Sequence, residues 1–532
     1  MAYYKDLREH LQALEERGKL VRIDFPVNKD TQLHPLVRLQ FRGLPEEQRK
    51  AFLFTNIFDS RGKKYNIPVA ICALAGSSEI YGIGLMCRPE EITEKMTRAE
   101  LHPIPPKLVK KAPVQEEVHV DEGLMEHGAL DEFPVPISTP GYDPAPFLTA
   151  SYWVTKDPDT GIRNVGVYRA HLKSPTRTGI NYERDRDIYR HWEKCRAKGI
   201  PLEAAIVIGG PPSCCYAAVT RYPYGVDEFT MAGGIAGEAL ELVKCQTVDL
   251  EVPSHAEIVL EGELTTGEME VEAPFGEAVG YLGMTEVRPY FTVKCITHRK
   301  NPILLAFLSQ FPPSESSKIR QHGNESAVYK YLKHDLNIGS VLAVAFHESV
   351  CSNFFAVIQM KKPEQSEVWK ALEGVGQRFG VAKLIIAVDE DINPWEPEAV
   401  NWALGLRMQP HRDLRVLKYQ TSNLLDLSLE NTEDLIQRRH ATRLEKAEAS
   451  RLLLNATRKW PYPPVSLPKK EFMEEALKLW KKAGLPDLKL KDPWWGYNLG
   501  YWAKEYDEEA ERAVKGEYYQ TGELRSKNRT KL

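Results

Sequence analysis

The sequence predicts a multidomain α+β / α/β fold. An N-terminal α/β unit (1–115) precedes a β-rich central section (116–312), an α/β layer domain (313–430) and a helical, Trp-rich extension (431–532). Three observations carry this division. A chain of 532 residues holds about three or four domains at roughly 150 residues each. Helix-period and strand-period segments alternate near both ends, whereas short β-type runs separated by turn signals dominate the middle. Proline-rich text (Pro103, Pro105, Pro106, Pro113) marks the first boundary.

In the first unit, Leu7, Leu11 and Leu14 recur at helical spacing and Gly18 stops the helix. Strands follow at 20–23, 51–54 and 69–73. In the middle, 148–155 and 164–172 flank Asp157-Pro158-Asp159-Thr160-Gly161 and read as a hairpin. Strands at 204–208, 256–260 and 290–298 extend this into a β-barrel or sandwich, with helical inserts at 184–198 and 232–243. The third section alternates strands at 341–346, 355–359 and 384–388 with helices at 366–379 and 397–407. A long helix is expected over 431–457, and another near 471–482.

Composition narrows the function. Lys and Arg total 70 against 74 Asp and Glu, a net charge of -4, which argues against a nucleic-acid backbone binder but leaves room for a local basic pocket. No apolar run approaches 18 residues, so no membrane span is expected, and no signal peptide is visible. The eight cysteines show no CxxC or zinc-type spacing, which predicts small buried thiols in a reducing, cytoplasmic compartment.

HExxH, Walker A and GxSxG motifs are absent. Four other stretches could carry chemistry. Glu268, Glu270 and Glu272 share one strand face, and Glu272 and Glu277 bracket an apolar Pro-Phe turn. Paired carboxylates in a dry pocket are good proton-transfer groups, because their repulsion favours protonating one of them; the plain alternative, preferred for Glu268 and Glu270, is a solvated face. Asn164-Val165-Gly166-Val167-Tyr168-Arg169 places an arginine on an apolar strand, where burial demands an anion. Strict alternation puts Asn164 and Arg169 on opposite faces unless a bulge intervenes. Asp227-Glu228 precedes Ala232-Gly233-Gly234, which reads as a helix cap with tight packing or as a metal and phosphate site. Ser314, Ser316, Ser317 and Lys318 read first as a helix cap, and Asp389, Glu390 and Asp391 as structural or solvated.

These stretches, with Asp249-Leu-Glu-Val-Pro253, Ala256-Glu-Ile-Val-Leu-Glu-Gly262, the opening Asp6-Leu-Arg-Glu-His-Leu and Val388-Asp-Glu-Asp-Ile-Asn393, together resemble the UbiD family over roughly residues 1–430. That family comprises reversible decarboxylases of aromatic and α,β-unsaturated acids that use prenylated FMN. The resemblance implies a central split β-barrel that holds the flavin and a C-terminal α/β domain used for dimerisation. It implies that Arg169 orients the substrate carboxylate and hydrogen-bonds Glu272, and that Glu277 delivers or removes the proton. It places Asn164, Val167, Arg169 and Glu228 at the cofactor. It assigns Asn164 and Glu228, with Asp187 where the family has a histidine, to a divalent ion, Mn2+ or Mg2+, accompanied by K+. His191, one turn later, is the alternative ligand or else a helix-surface histidine. The implied partners are an aromatic or heteroaromatic carboxylic acid and CO2, a flavin prenyltransferase as cofactor supplier, and a second copy of the chain in a homodimer or larger homo-oligomer. The other readings are a non-catalytic assembly subunit of a multi-subunit carboxylase and an FMN-dependent oxidoreductase.

Overall fold

The computed structural model describes residues 2–182, 186–380, 382–420, 425–429, 449–527 and 529–530. Leu7, Leu11 and Leu14 lie on the buried face of the helix Leu7–Glu16, and the Asp6 side chain caps it by accepting from the Glu9 N–H. The helix packs beside a four-stranded sheet ordered Leu20–Ile23, Ala51–Phe54, Val69–Ile71, Leu304–Ala306. The last strand comes from the far end of the central section. The first two units therefore share a sheet and one continuous hydrophobic core.

The central sheet runs Arg163–Val167, Tyr152–Lys156, Leu202–Ile208, Ile258–Leu264, Tyr290–His298, Arg177–Gly179, Ala170–Ser174, Phe147–Leu148, with Glu117–Val120 also paired to Tyr290–His298. It curls into an open half-barrel. The expected hairpin forms, with Tyr152 opposite Val167 and Lys156 opposite Arg163. The expected strand 164–172 does not continue unbroken. It ends at Val167 and resumes at Ala170 with different neighbours, Arg177–Gly179 and Phe147–Leu148.

The insert expected as a helix over 232–243 divides differently. The helix is Glu228–Ala236, stopped by Gly237 at φ +75°, and a strand follows at Glu241–Lys244. Gly237 takes the left-handed conformation that ends helices, and that local signal outweighs the apolar spacing of Ile235, Ala239 and Leu242. The other insert forms as Asp187–Lys198; residues 183–185 lie outside the described ones.

The C-terminal sheet has the order Val341–Phe346, Phe355–Met360, Leu384–Asp389, Ala449–Ala456, Leu414–Gln420. Its two faces feed two cores. Ala356, Ile358, Ile385 and Ala387 face Val368, Leu372 and Val375 of the helix Gln365–Arg378. Val357, Ile386 and Val388 face Ala399, Val400 and Ala403 of the helix Pro397–Arg407. Burial on both faces makes such strands read as continuous apolar runs. This corrects the helix expected over 431–457: Ala449–Ala456 is an inner strand, since a short run such as Leu452-Leu453-Leu454 suits a buried strand or a helix equally. The rest of that expected helix, 431–448, lies outside the described residues. The extension returns along this domain, where Tyr497 donates to Asp391 (3.0 Å) and Lys491 pairs with Glu398 (2.6 Å). Among the described residues no helix is long and apolar enough to cross a membrane, and the eight cysteines are free thiols.

Candidate active site

A cavity of ≈ 370 Å³ opens between the half-barrel, the helix Glu315–Lys330 and the C-terminal domain, which contributes Asn353. Asn164, Val167, Arg169, Asp187, Glu228 and Glu277 all line it. Asn164 and Arg169 reach one cavity because the strand breaks at Tyr168–Arg169, so alternation no longer holds across the pair. The interruption that the sequence reading required is therefore present.

Arg169 donates from Nη1 to Glu277, and its guanidinium lies 4.9 Å over the Phe275 ring. The implied Arg169–Glu272 hydrogen bond is thus replaced by an Arg169–Glu277 pair. The turn explains the difference. Asp143, buried, accepts from the Gly276 N–H (3.0 Å) and the Thr139 N–H (2.7 Å), and burial raises its own pKa. A Cβ on Gly276 would lie 2.5 Å from Thr139 Oγ1 and 2.6 Å from Gln310 Cγ, so any larger residue would push those side chains aside. This clamp throws Glu277 into the cavity and leaves Glu272 behind, absent from the cavity lining and 1 % exposed. Glu272 lies 3.8 Å from His171 Nδ1 and 3.9 Å from Lys173 Nζ, and neither of its oxygens accepts a hydrogen bond. The rings connect the two halves: His171 stacks on Phe147, and Phe147 packs on Phe275 beneath Arg169. Glu270, in contrast, pairs with Arg177 and Lys173 near the surface, as a solvated face would.

The Glu228 carboxyl sits at the start of its helix and accepts from the Val165 N–H (2.7 Å). Burial pushes its pKa up to about 8, and the charges of Asp227 and Asp187 add to the rise. Asp227 is the helix cap and pairs with Arg163. Gly233 and Gly234 are packing residues: a Cβ on Gly234 would stand 2.6 Å from the Ala99 carbonyl oxygen. The Asn164 side-chain nitrogen is buried without a partner. Asp187 shares the cavity with these two, and His191 does not. His191 is also no helix-surface residue. It is buried, bonded through Nδ1 to the Thr155 hydroxyl (3.0 Å), and burial lowers its pKa to about 4.

Ser314 caps the helix Glu315–Lys330 in a reciprocal box with Ser317, while Ser316 faces the cavity with Ser309. Lys318 is held by Glu46 and Gln321. Asp389 and Asp391 are structural, both paired with Arg407. Sequence reasoning missed the basic wall. Arg186, Arg221, Arg288 and Arg320 join Arg169 in lining the cavity, and Arg288 also pairs with Glu286. They come from separate segments with no common period, so spacing carried no signal for them.

Two family models match in succession: the 3-octaprenyl-4-hydroxybenzoate carboxy-lyase Rift-related domain over residues 107–311, and the C-terminal domain of the same family over residues 321–456. The chain belongs to the UbiD family. An uncharacterized protein of Archaeoglobus fulgidus is 31% identical over 484 residues, 86% of this chain and 92% of the relative. The UbiD-class enzyme HmfF of Pelotomaculum thermopropionicum, solved as an evolved dimeric form with prFMN, is 29% identical with TM-score 0.73, over 87% of this chain and 97% of that one. Vanillic acid decarboxylase of Sedimentibacter hydroxybenzoicus, in closed form, is 26% identical with TM-score 0.76, over 91% of this chain and all (100%) of that one. The family is one of UbiD-class (de)carboxylases, to which both of these solved neighbours belong.

Proposed function

We propose that the protein is a reversible, non-oxidative decarboxylase of an aromatic or heteroaromatic carboxylic acid that uses prenylated FMN. The observation that carries this is the Arg169–Glu277 pair, held over Phe275 in the same cavity as Asn164, Asp187 and Glu228.

The residues fit the cofactor and its ions. Two carboxyl groups and an amide with an unpartnered buried nitrogen form an oxygen-rich donor set once that amide is turned. Burial and mutual repulsion disfavour charge on Glu228, and a divalent cation removes both penalties. Asn164, Asp187 and Glu228 would hold Mn2+ or Mg2+, the oxygen-preferring ions. The arginine-lined wall suits the flavin phosphate, with K+ as a second counter-ion. Bound there, prenylated FMN supplies the electron sink for the charge left when CO2 departs.

The chain's own residues position the acid and move the proton. Arg169 offers a planar fork to the substrate carboxylate. Turning onto it takes Arg169 off Glu277, whose Oε1 is then available to hold and deliver a proton to the carbon that lost CO2. In the carboxylation direction Glu277 takes that proton up. Glu272 stays buried beside His171, whose ring stacks on Phe147 and so borders Phe275 beneath Arg169. We further propose a homodimer formed through the C-terminal domain and cofactor supply by a flavin prenyltransferase.

The deciding experiment co-produces the chain with a flavin prenyltransferase and measures released small molecules by denaturing mass spectrometry, followed by a screen of aromatic acids. Prenylated FMN together with CO2 release is the expected result. No flavin, despite that supply and added manganese, overturns the reading in favour of an assembly subunit.

A further inference from the structure

A second cluster of ligand-type side chains lies away from the cavity. His119 is the third residue of the strand Glu117–Val120, and His298 ends its neighbour Tyr290–His298. His119 stands opposite Ile296, and Glu117 opposite His298, so the two histidines are diagonal neighbours on one sheet face. Both are buried, their rings stack at 5.2 Å, and their Nε2 atoms lie 3.1 Å apart. The chain after His119 folds back through two short turns around Gly128 (φ +86°) and brings Glu132 to His119 and His298, while Glu126 and His127 group with His119 alone.

We propose that His119, His298 and Glu132 form a site for a divalent ion of borderline softness, Zn2+ by its donor set, with water in the fourth position. One ligand atom from each of the three residues falls within 4.8 Å of the others. The 3.1 Å nitrogen separation is close to the roughly 3.3 Å between two imidazole nitrogens on a tetrahedral zinc with bonds of about 2.05 Å.

The far side of the His298 ring prepares its Nε2 for a cation. His298 Nδ1 lies 2.8 Å from the Arg299 carbonyl oxygen, which can only accept. That fixes the proton on Nδ1 and turns a lone pair on Nε2 toward His119. With that lone pair facing it, His119 Nε2 is the donor across the 3.1 Å contact, and the Glu132 carboxyl lies beside the pair. A cation would take the place of the shared proton, with the Arg299 carbonyl orienting the His298 ring as an outer acceptor does around zinc. None of these side chains lines the large cavity, so this ion is distinct from any at the flavin. It would tie the 121–132 segment to the half-barrel.

The test uses untagged, full-length protein stripped with a chelator, then titrated with Zn2+ against a chromophoric competitor. Wild type should bind one equivalent more than His298→Gln and Glu132→Gln, and that equivalent should weaken at least tenfold in each variant. Manganese and flavin contents, measured before stripping, should not change. Glu132→Gln, only partly buried, keeps the test open if the buried His298→Gln does not fold. Equal zinc stoichiometry and affinity in wild type and Glu132→Gln would overturn the proposal, as would joint loss of zinc and flavin-site manganese.

Discussion

Arg169 has one guanidinium and more than one carboxylate to serve. In the structure it holds Glu277, while Glu272 lies outside the cavity with no hydrogen-bond donor on either oxygen. Glu277→Gln removes a proton donor and almost no volume. Decarboxylation should fall at least ~100-fold, the usual worth of a positioned general acid, with flavin content unchanged. Turnover within tenfold of wild type in a quench assay would take Glu277 out of that role. Glu228 accepts from the backbone of its neighbouring strand and belongs to the proposed ion site. Glu228→Ala should lose flavin absorbance and manganese in parallel during gel filtration, and retention of both would move the ion elsewhere.

The helix Glu228–Ala236 carries Glu228 to the cavity by lying unusually close to its neighbour. Gly234 meets the Ala99 carbonyl oxygen of the helix Ile92–Leu101, backbone against backbone, and has no flexible side chain to yield. Gly234→Ala should destabilise by about 2 kcal/mol, the typical cost of overpacking, and lower flavin occupancy because Glu228 moves with the helix. Chemical denaturation with absorbance at the flavin band reads both. Full occupancy with unchanged stability would show that the helix can shift without loss. The packing reading of Gly233-Gly234 was available from the sequence, whereas the end of this helix was misjudged: Gly237 sits within an apolar repeat that continues past it, and only its φ shows the stop.

Across the whole molecule, buried neutral histidines set the acid limit. His34 is buried with neither ring nitrogen bonded, and burial lowers its pKa to about 3; burial likewise lowers His10 to about 4. An unfolded histidine has pKa near 6.5, so below that pH the unfolded chain binds protons that the fold excludes. Stability is therefore full above about pH 6.5. It falls as pH drops toward 3 to 4, by up to about 1.4 kcal/mol per pH unit for each group. Replacing His34 with Leu should flatten this slope in urea unfolding between pH 6.5 and 4.5. An unchanged slope would place the acid sensitivity in other groups.

Local chemistry was enough to read the helix Leu7–Glu16, the hairpin around Asp157–Gly161 and the α/β alternation after 340, because each rests on neighbours in sequence. The residues at the cavity were legible for the same reason: Asn164, Arg169, Glu228 and Glu277 occur in distinctive short motifs. Four features depended on parts of the chain that meet only on folding. The strand Ala449–Ala456 is a strand because two other strands flank it, not because of its own pattern. Arg169 chooses Glu277 over Glu272 because Asp143, more than a hundred residues away, clamps the turn between them. The arginine wall and the His119–His298 pair have no sequence period, since their members converge from separate segments. Sequence set the chemical inventory and the local elements; long-range packing decided which of those groups face one another.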